Sequence, residues 1–220
     1  MKPQTELDIL NNDFLADCNQ CDLRRTCTKI LPGRGYTGIP GLKRTGPKLL
    51  FVGDAPDLDE DMEGEIFAGE YGYVLEMWIS YLGLSEKDWY ITNIVKCCPP
   101  DDRKAKKDEQ NACATEWLYK EIKYIDPWII LPVGRLASAF FLGSDYKTGI
   151  TDYCGKFYLS NKAYLDNSID NKKRMVYPLL HPTYYINHST QEKESVWGIQ
   201  LFKLDRYLKK RFDREEIHGL

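Results

Sequence analysis

Residues 49–53 read LLFVG, an apolar run closed by a glycine. A strand of that kind has no polar face to turn to water. It fits a parallel sheet covered by helices on both sides. A polar stretch rich in carboxylates follows: Asp54, Asp57, Asp59, Glu60, Asp61 and Glu63. It is expected to be a loop. From Gly69 the apolar spacing turns helical, with Leu75, Trp78, Ile79 and Leu82 on one face. Open α/β sheets place their ligands in the loops beyond the carboxyl ends of such strands.

The same alternation runs through the chain. Residues 5–17 carry Leu7, Leu10 and Phe14 at helical spacing, and the Gly- and Pro-rich residues 31–47 read as loop. Trp89 to Val95 (WYITNIV), Trp128 to Val133 (WIILPV) and Met175 to Leu180 (MVYPLL) read as further strands, with a short one near Lys156 to Leu159. Helices are expected at about 108–125, at Arg135 to Leu142 and at roughly 190–211. The expected architecture is a single α/β domain over residues 1–220. It is a three-layer α/β/α sandwich around a mostly parallel four-stranded central sheet. Asp54, Asn93 and His181 stand at three strand ends, which a parallel sheet brings to one edge.

Charge and composition narrow the function. The 220 residues are 43% hydrophobic and 29% charged, within the globular range, and the net charge is -3. A protein gripping a duplex along its length is usually basic, so any DNA contact here must be a local surface. Lys43–Arg44, Arg103 to Lys107 and Lys172 to Arg174 are the candidate patches. No apolar run approaches the roughly 20 residues a membrane span needs, and the first ten residues carry acids where a leader needs an apolar core. The expected setting is the cytoplasm, without membrane contact, as a monomer.

Seven cysteines in such a chain favour metal or redox chemistry over disulfides. Cys18 and Cys21 form a C-x-x-C, Cys97 follows a strand and Cys113 lies on the next helix. Together they could make one four-thiolate site, suited to zinc or to an iron–sulfur cluster, and spacing does not choose between the two. Cys27, Cys98 and Cys154 read as ordinary buried or loop cysteines. In the acidic stretch Asp54 stands out because it sits directly at the strand end. The other acids read as a solvated surface, with a magnesium site as the alternative. Phe67 is a core anchor or, facing the pocket, a surface for stacking a base. His181 caps its strand or donates a hydrogen bond to a departing group.

Taken together, these residues resemble the uracil-DNA glycosylase superfamily, most of all its family-four members, which carry a [4Fe-4S] cluster. Four segments match in order: Gly53-Asp54-Ala55-Pro56 with Glu60-Asp61 and Phe67-Ala68-Gly69; Tyr90 to Cys97 with Pro99-Pro100; Pro132-Val133-Gly134; and His181-Pro182-Thr183-Tyr184. The resemblance implies a hydrolase of base excision repair that flips uracil, or another deaminated base, out of DNA and cuts its glycosidic bond. It implies Asp54, Asn93 and His181 as catalytic residues. Ala55, Pro56, Glu60, Phe67, Asn93 and Tyr184 would contact the substrate. It also implies Cys18, Cys21, Cys97 and Cys113 as ligands of the cluster, with structural zinc as the alternative.

The sequence departs from the family at Asp54 (usually Glu), Asp57 (Gly), Ile66 (Pro), Asp102 (Asn) and Asn187 (Arg). The added acids and the lost arginine weaken phosphate binding. Related domains occur in phage chains associated with DNA polymerases. The alternative is therefore a catalytically weak DNA-binding module of this fold, working with replication or repair proteins.

Overall fold

The computed structural model describes residue 7 and residues 18–38, 47–143, 149–160, 173–188 and 190–218, without the side chains of 190, 192–195 and 212–218. Leu7 is helical and buried; the rest of the helix expected at 5–17 lies outside the described residues, as do Lys43, Arg44 and Lys172. In chain order the elements are β1 (Arg34–Gly35), β2 (Leu49–Gly53), α1 (Leu58–Glu63), α2 (Gly69–Tyr81) and β3 (Trp89–Asn93). A continuous helix, α3, follows as Lys107–Cys113, a π-helical turn Ala114–Leu118, and Tyr119–Ile125. Then come β4 (Ile129–Pro132), α4 (Arg135–Leu142), β5 (Tyr158–Leu159), β6 (Met175–Val176), α5 (Pro182–Asn187) and α6 (Thr190–His218).

The sheet has six strands in the order β1-β3-β2-β4-β6-β5. Its inner four, β3-β2-β4-β6, are parallel, as expected. The two-residue strands β1 and β5 pair antiparallel at the edges and raise the expected count from four to six. The sequence hides β1 because two residues in a Gly- and Pro-rich stretch leave no alternation to read.

The alternation along β2 sorts the core into two layers. Leu50 and Val52 join Tyr90, Ile130 and Val176 under α3 and α4, where Leu118, Ile122, Ala137 and Phe141 pack. Leu49 and Phe51 face the other way with Ile91, Ile129 and Leu131, against Leu75 and Trp78 of α2 and Trp197, Leu201 and Leu204 of α6. Burial of each such side chain contributes about 1.5–3 kcal/mol, and the two layers make the α/β/α sandwich.

The acidic stretch differs from its expected form. Residues Leu58–Glu63 are a helix, started by a capping box. Asp57 accepts a hydrogen bond from the Glu60 amide at 2.9 Å, and the Glu60 carboxylate accepts one from the Asp57 amide at 3.0 Å. Asp59, Glu60 and Asp61 then sit in the first turn, where the helix dipole favours acids. Asp61 is buried and accepts from the Thr28 and Lys29 amides at 2.8 and 3.0 Å, which fastens the N-terminal segment to this helix. Hence Asp57, Glu60 and Asp61 are structural groups rather than solvated charges. Likewise Arg174, grouped with a surface patch above, is 4% exposed and pairs with Asp126 at 3.1 Å.

Candidate active site

The carboxyl ends of β2 and β3 and the turns after β4 and β6 enclose a cavity of about 380 Å³. Asp54, Ala55, Pro56, Glu60, Phe67, Asn93 and His181 all line it. Tyr184 does not: it lies on α5, stacked on His188 at 3.7 Å between ring centroids.

Asn93 closes β3 opposite Gly53, its partner in the parallel register. It is 2% exposed, and its amide nitrogen has no hydrogen-bond partner in the structure. A buried donor left unsatisfied costs on the order of 1–3 kcal/mol, so this atom marks where a ligand acceptor belongs. The fit is close: a Cβ at Gly53 would collide with Asn93 Oδ1 and press on the Phe67 ring. Phe67 holds a left-handed backbone, φ 51°, which costs a non-glycine residue about 1–3 kcal/mol. Two contacts keep it there. Its amide donates to Glu60 Oε1, and its carbonyl occupies the space a side chain at Gly72 would need. The buried Glu60 therefore shapes the pocket through the backbone. Burial and the neighbouring Asp57 push its carboxyl up to about 7.

His181 is the N-cap of α5. Its Nδ1 accepts from the Thr183 amide at 3.2 Å and lies 2.6 Å from Thr183 Oγ1. With Nδ1 accepting, the neutral ring carries its proton on Nε2. Burial lowers the pKa of this histidine, against the opposing pull of Asp57, and keeps it neutral at neutral pH. Tyr71 of α2 packs at 70° to the imidazole, 5.3 Å between centroids. Asp54 receives a hydrogen bond from Gln110 Nε2 at 2.7 Å. Burial pushes its carboxyl up to about 6, while Gln110 and Lys104 act in the other direction.

Several of these groups escaped sequence reasoning. Tyr71, Gln110 and Thr183 come from helices whose facing side cannot be known until the sheet is assembled. Lys96 is 2% exposed and meets Glu121 of α3 at 2.6 Å. Its ammonium also donates to the Asn93 carbonyl at 2.7 Å and to Thr92 Oγ1, so each of its three protons has an acceptor directly behind the pocket. The signal available was a lysine directly after the apolar run that ends at Val95.

The cysteines gather on the other side of β3. Cys97 and Cys113 are buried, and Cys18, Cys21 and Cys27 pack against the same core cluster. Burial pushes the Cys113 thiol up to about 12, and Cys18 and Cys21 add to that shift. Cys27, set aside above as ordinary, belongs with this group: its thiol shares a hydrogen bond with Cys97, which lowers the Cys27 pKa to about 7 and raises that of Cys97. An antiparallel bridge from Ile30 to Cys97 and the Leu31 amide on the Lys96 carbonyl at 2.7 Å hold the two segments together. Among the described residues, no three Cys, His, Asp or Glu side chains are set at metal-binding geometry. The donor set nevertheless suits a thiolate-bound centre, since Cys18, Cys21, Cys97 and Cys113 share one face of the core. Cys154 packs in the opposite layer.

The fold defines an α/β/α protein with an aromatic, hydrogen-bonding cavity at its strand ends. Comparison with known proteins names the class: the model of the Uracil DNA glycosylase superfamily matches residues 40–200, and the chain belongs to that superfamily. It is 36% identical over 134 residues to the type-4 uracil-DNA glycosylase of Archaeoglobus fulgidus, spanning 61% of this chain and 62% of that one. To the type-4 enzyme of Saccharolobus solfataricus it is 35% identical, covering 78% and 76% of the two chains. To that of Thermotoga maritima it is 29% identical over 96% and 99%.

Proposed function

We propose that this protein hydrolyses the N-glycosidic bond of deoxyuridine in DNA, releasing uracil for base excision repair. The observation that carries this is the buried, unpartnered Asn93 amide beside the Phe67 ring, in a chain of this superfamily. A base flipped from the stack would lie on Phe67. Asn93 would donate to uracil O4 and accept from N3–H. Cytosine presents an amino group at the first of these places and a bare nitrogen at the second, so both contacts fail. As the bond from C1′ to N1 stretches, its electron pair moves onto the uracil ring. The neutral His181 donates from Nε2 to the developing anion, as an oxyanion hole does. Ionised Asp54 orients the water whose oxygen joins C1′. The proton that this water gives up passes to solvent, and the departing uracil anion takes one up from solvent. The products are free uracil and an abasic sugar. Lys104 and Arg135 line the same cavity and supply positive charge for the flanking phosphates.

Cys18, Cys21, Cys97 and Cys113 would hold the [4Fe-4S] cluster of the family-four enzymes. Held there, it would cross-link the N-terminal segment, the turn after β3 and α3, in a structural role. The test of the reaction is an oligonucleotide with one uracil, incubated with the protein and then with alkali. Scission at the uracil is the expected result, with hypoxanthine and xanthine as comparison bases on single and double strands. An intact strand in every arm overturns the proposal.

A further inference from the structure

Asp54 is held from outside its own loop. Gln110, 56 residues further along the chain, reaches from the first part of α3 and places its amide nitrogen 2.7 Å from Asp54 Oδ1. We infer that Gln110 is a positioning residue: its side-chain amide fixes the Asp54 carboxylate in the orientation that the proposed water attack requires. The inference rests on the reaction proposed above.

Three features single out this contact. First, Asp54 stands at the junction of β2 and the pocket, with its own carbonyl accepting the Val95 amide at 2.9 Å, so its backbone is fixed and its side-chain torsion is what remains to be set. Second, the Gln110 bond is what sets it. Glu109, the preceding residue, is committed elsewhere, binding Arg103 through both carboxylate oxygens at 2.6 and 2.9 Å and taking the Lys106 amide at 2.7 Å. Third, a neutral amide directs a carboxylate without neutralising it. A lysine or arginine at position 110 would offer the carboxylate a full counter-charge and hold it in an ion pair. The charged side chain acting on Asp54 is Lys104, from the loop before α3, which lowers the carboxyl pKa alongside Gln110 while burial raises it.

The test uses the whole protein as wild type, Gln110→Leu and Gln110→Glu. Leucine keeps the bulk and the helix preference and removes the donor. The Asp54 carboxyl is followed by carbon-13 NMR titration, assigned by its loss in Asp54→Asn, together with the pH profile of uracil release. A hydrogen bond to the charged form favours ionisation. Gln110→Leu is therefore expected to move the Asp54 titration up by about half a unit or more. The acid limb of kcat should move with it, and KM should stay unchanged. Gln110→Glu is expected to move it further in the same direction, because two neighbouring carboxyls cannot both ionise freely. If Gln110→Leu does not fold, Gln110→Met makes the same comparison. An Asp54 titration indifferent to position 110 overturns the inference, even where the wild type releases uracil. A titration that follows position 110 in a protein that releases no uracil removes the proposed reaction and leaves the contact's role in setting Asp54 standing.

Discussion

The proposed reaction needs Asp54 and His181 both deprotonated, the one as carboxylate and the other as neutral imidazole. Burial raises the Asp54 carboxyl to about 6, so it ionises as pH rises through that point, while burial lowers the His181 imidazole and favours its neutral form. Uracil release should accordingly rise with pH to a half-point near 6. A profile that falls across that point would show that the protonated carboxyl is the working form. Glu60 bears on stability instead. Its folded pKa, about 7, lies above the ordinary 4.5, so the folded state holds the extra proton between those values and stability declines as pH rises through that window. These roles were only partly legible beforehand. A strand-end position singled out Asp54, Asn93 and His181, because strand ends can be read from local apolar runs. The Asp57–Glu60 capping box was equally local, a D-x-x-E ahead of a helix, but the density of acids disguised it as a solvated loop.

At the scale of elements, the site depends on how β3 and α3 are joined. Lys96 and Glu121 form a buried pair that also anchors the Asn93 carbonyl. Removing one partner strands the other charge in the core. Lys96→Met should destabilise the protein by about 3–5 kcal/mol, whereas Lys96→Met with Glu121→Leu should recover most of that loss, by chemical denaturation. Equal stability of the single variant and the wild type would mean that the pair is not buried in solution. The cap of α1 is a smaller matter: Asp57→Ala should cost about 1 kcal/mol. It also withdraws the charge that opposes the lowering of the His181 pKa, so NMR should find the imidazole titrating lower still. The strand and helix bodies were accessible to sequence reasoning wherever periodicity ran for several residues, as in β2 and α2. It failed for β1 and α5, which are too short for any period, and for the Lys96–Glu121 contact, which exists only once two elements meet.

Across the whole molecule, β3 is the shared wall between two constellations. Asn93 ends it on the pocket side, and Cys97 lies four residues on, against Cys27 and the other thiols. A bound cluster would thus steady the turn that directly follows Asn93. Protein purified without chelators should be brown, and Cys113→Ser should lose both colour and iron and melt at lower temperature. Colourless wild-type protein with stoichiometric zinc would replace the cluster with the alternative metal. The C-x-x-C marked two of these thiols from the sequence alone. Cys27 was missed because only the bridge between Ile30 and Cys97 brings it to them.

The most direct test of the account is chromatographic measurement of free uracil. A uracil-bearing strand is incubated with wild type and with Asn93→Ala, both checked for an unchanged melting temperature. Loss of the amide proposed to read the base should slow release by about 10²–10³-fold, because that amide nitrogen serves no partner within the fold. Equal release by the two proteins, or none by the wild type, would contradict it.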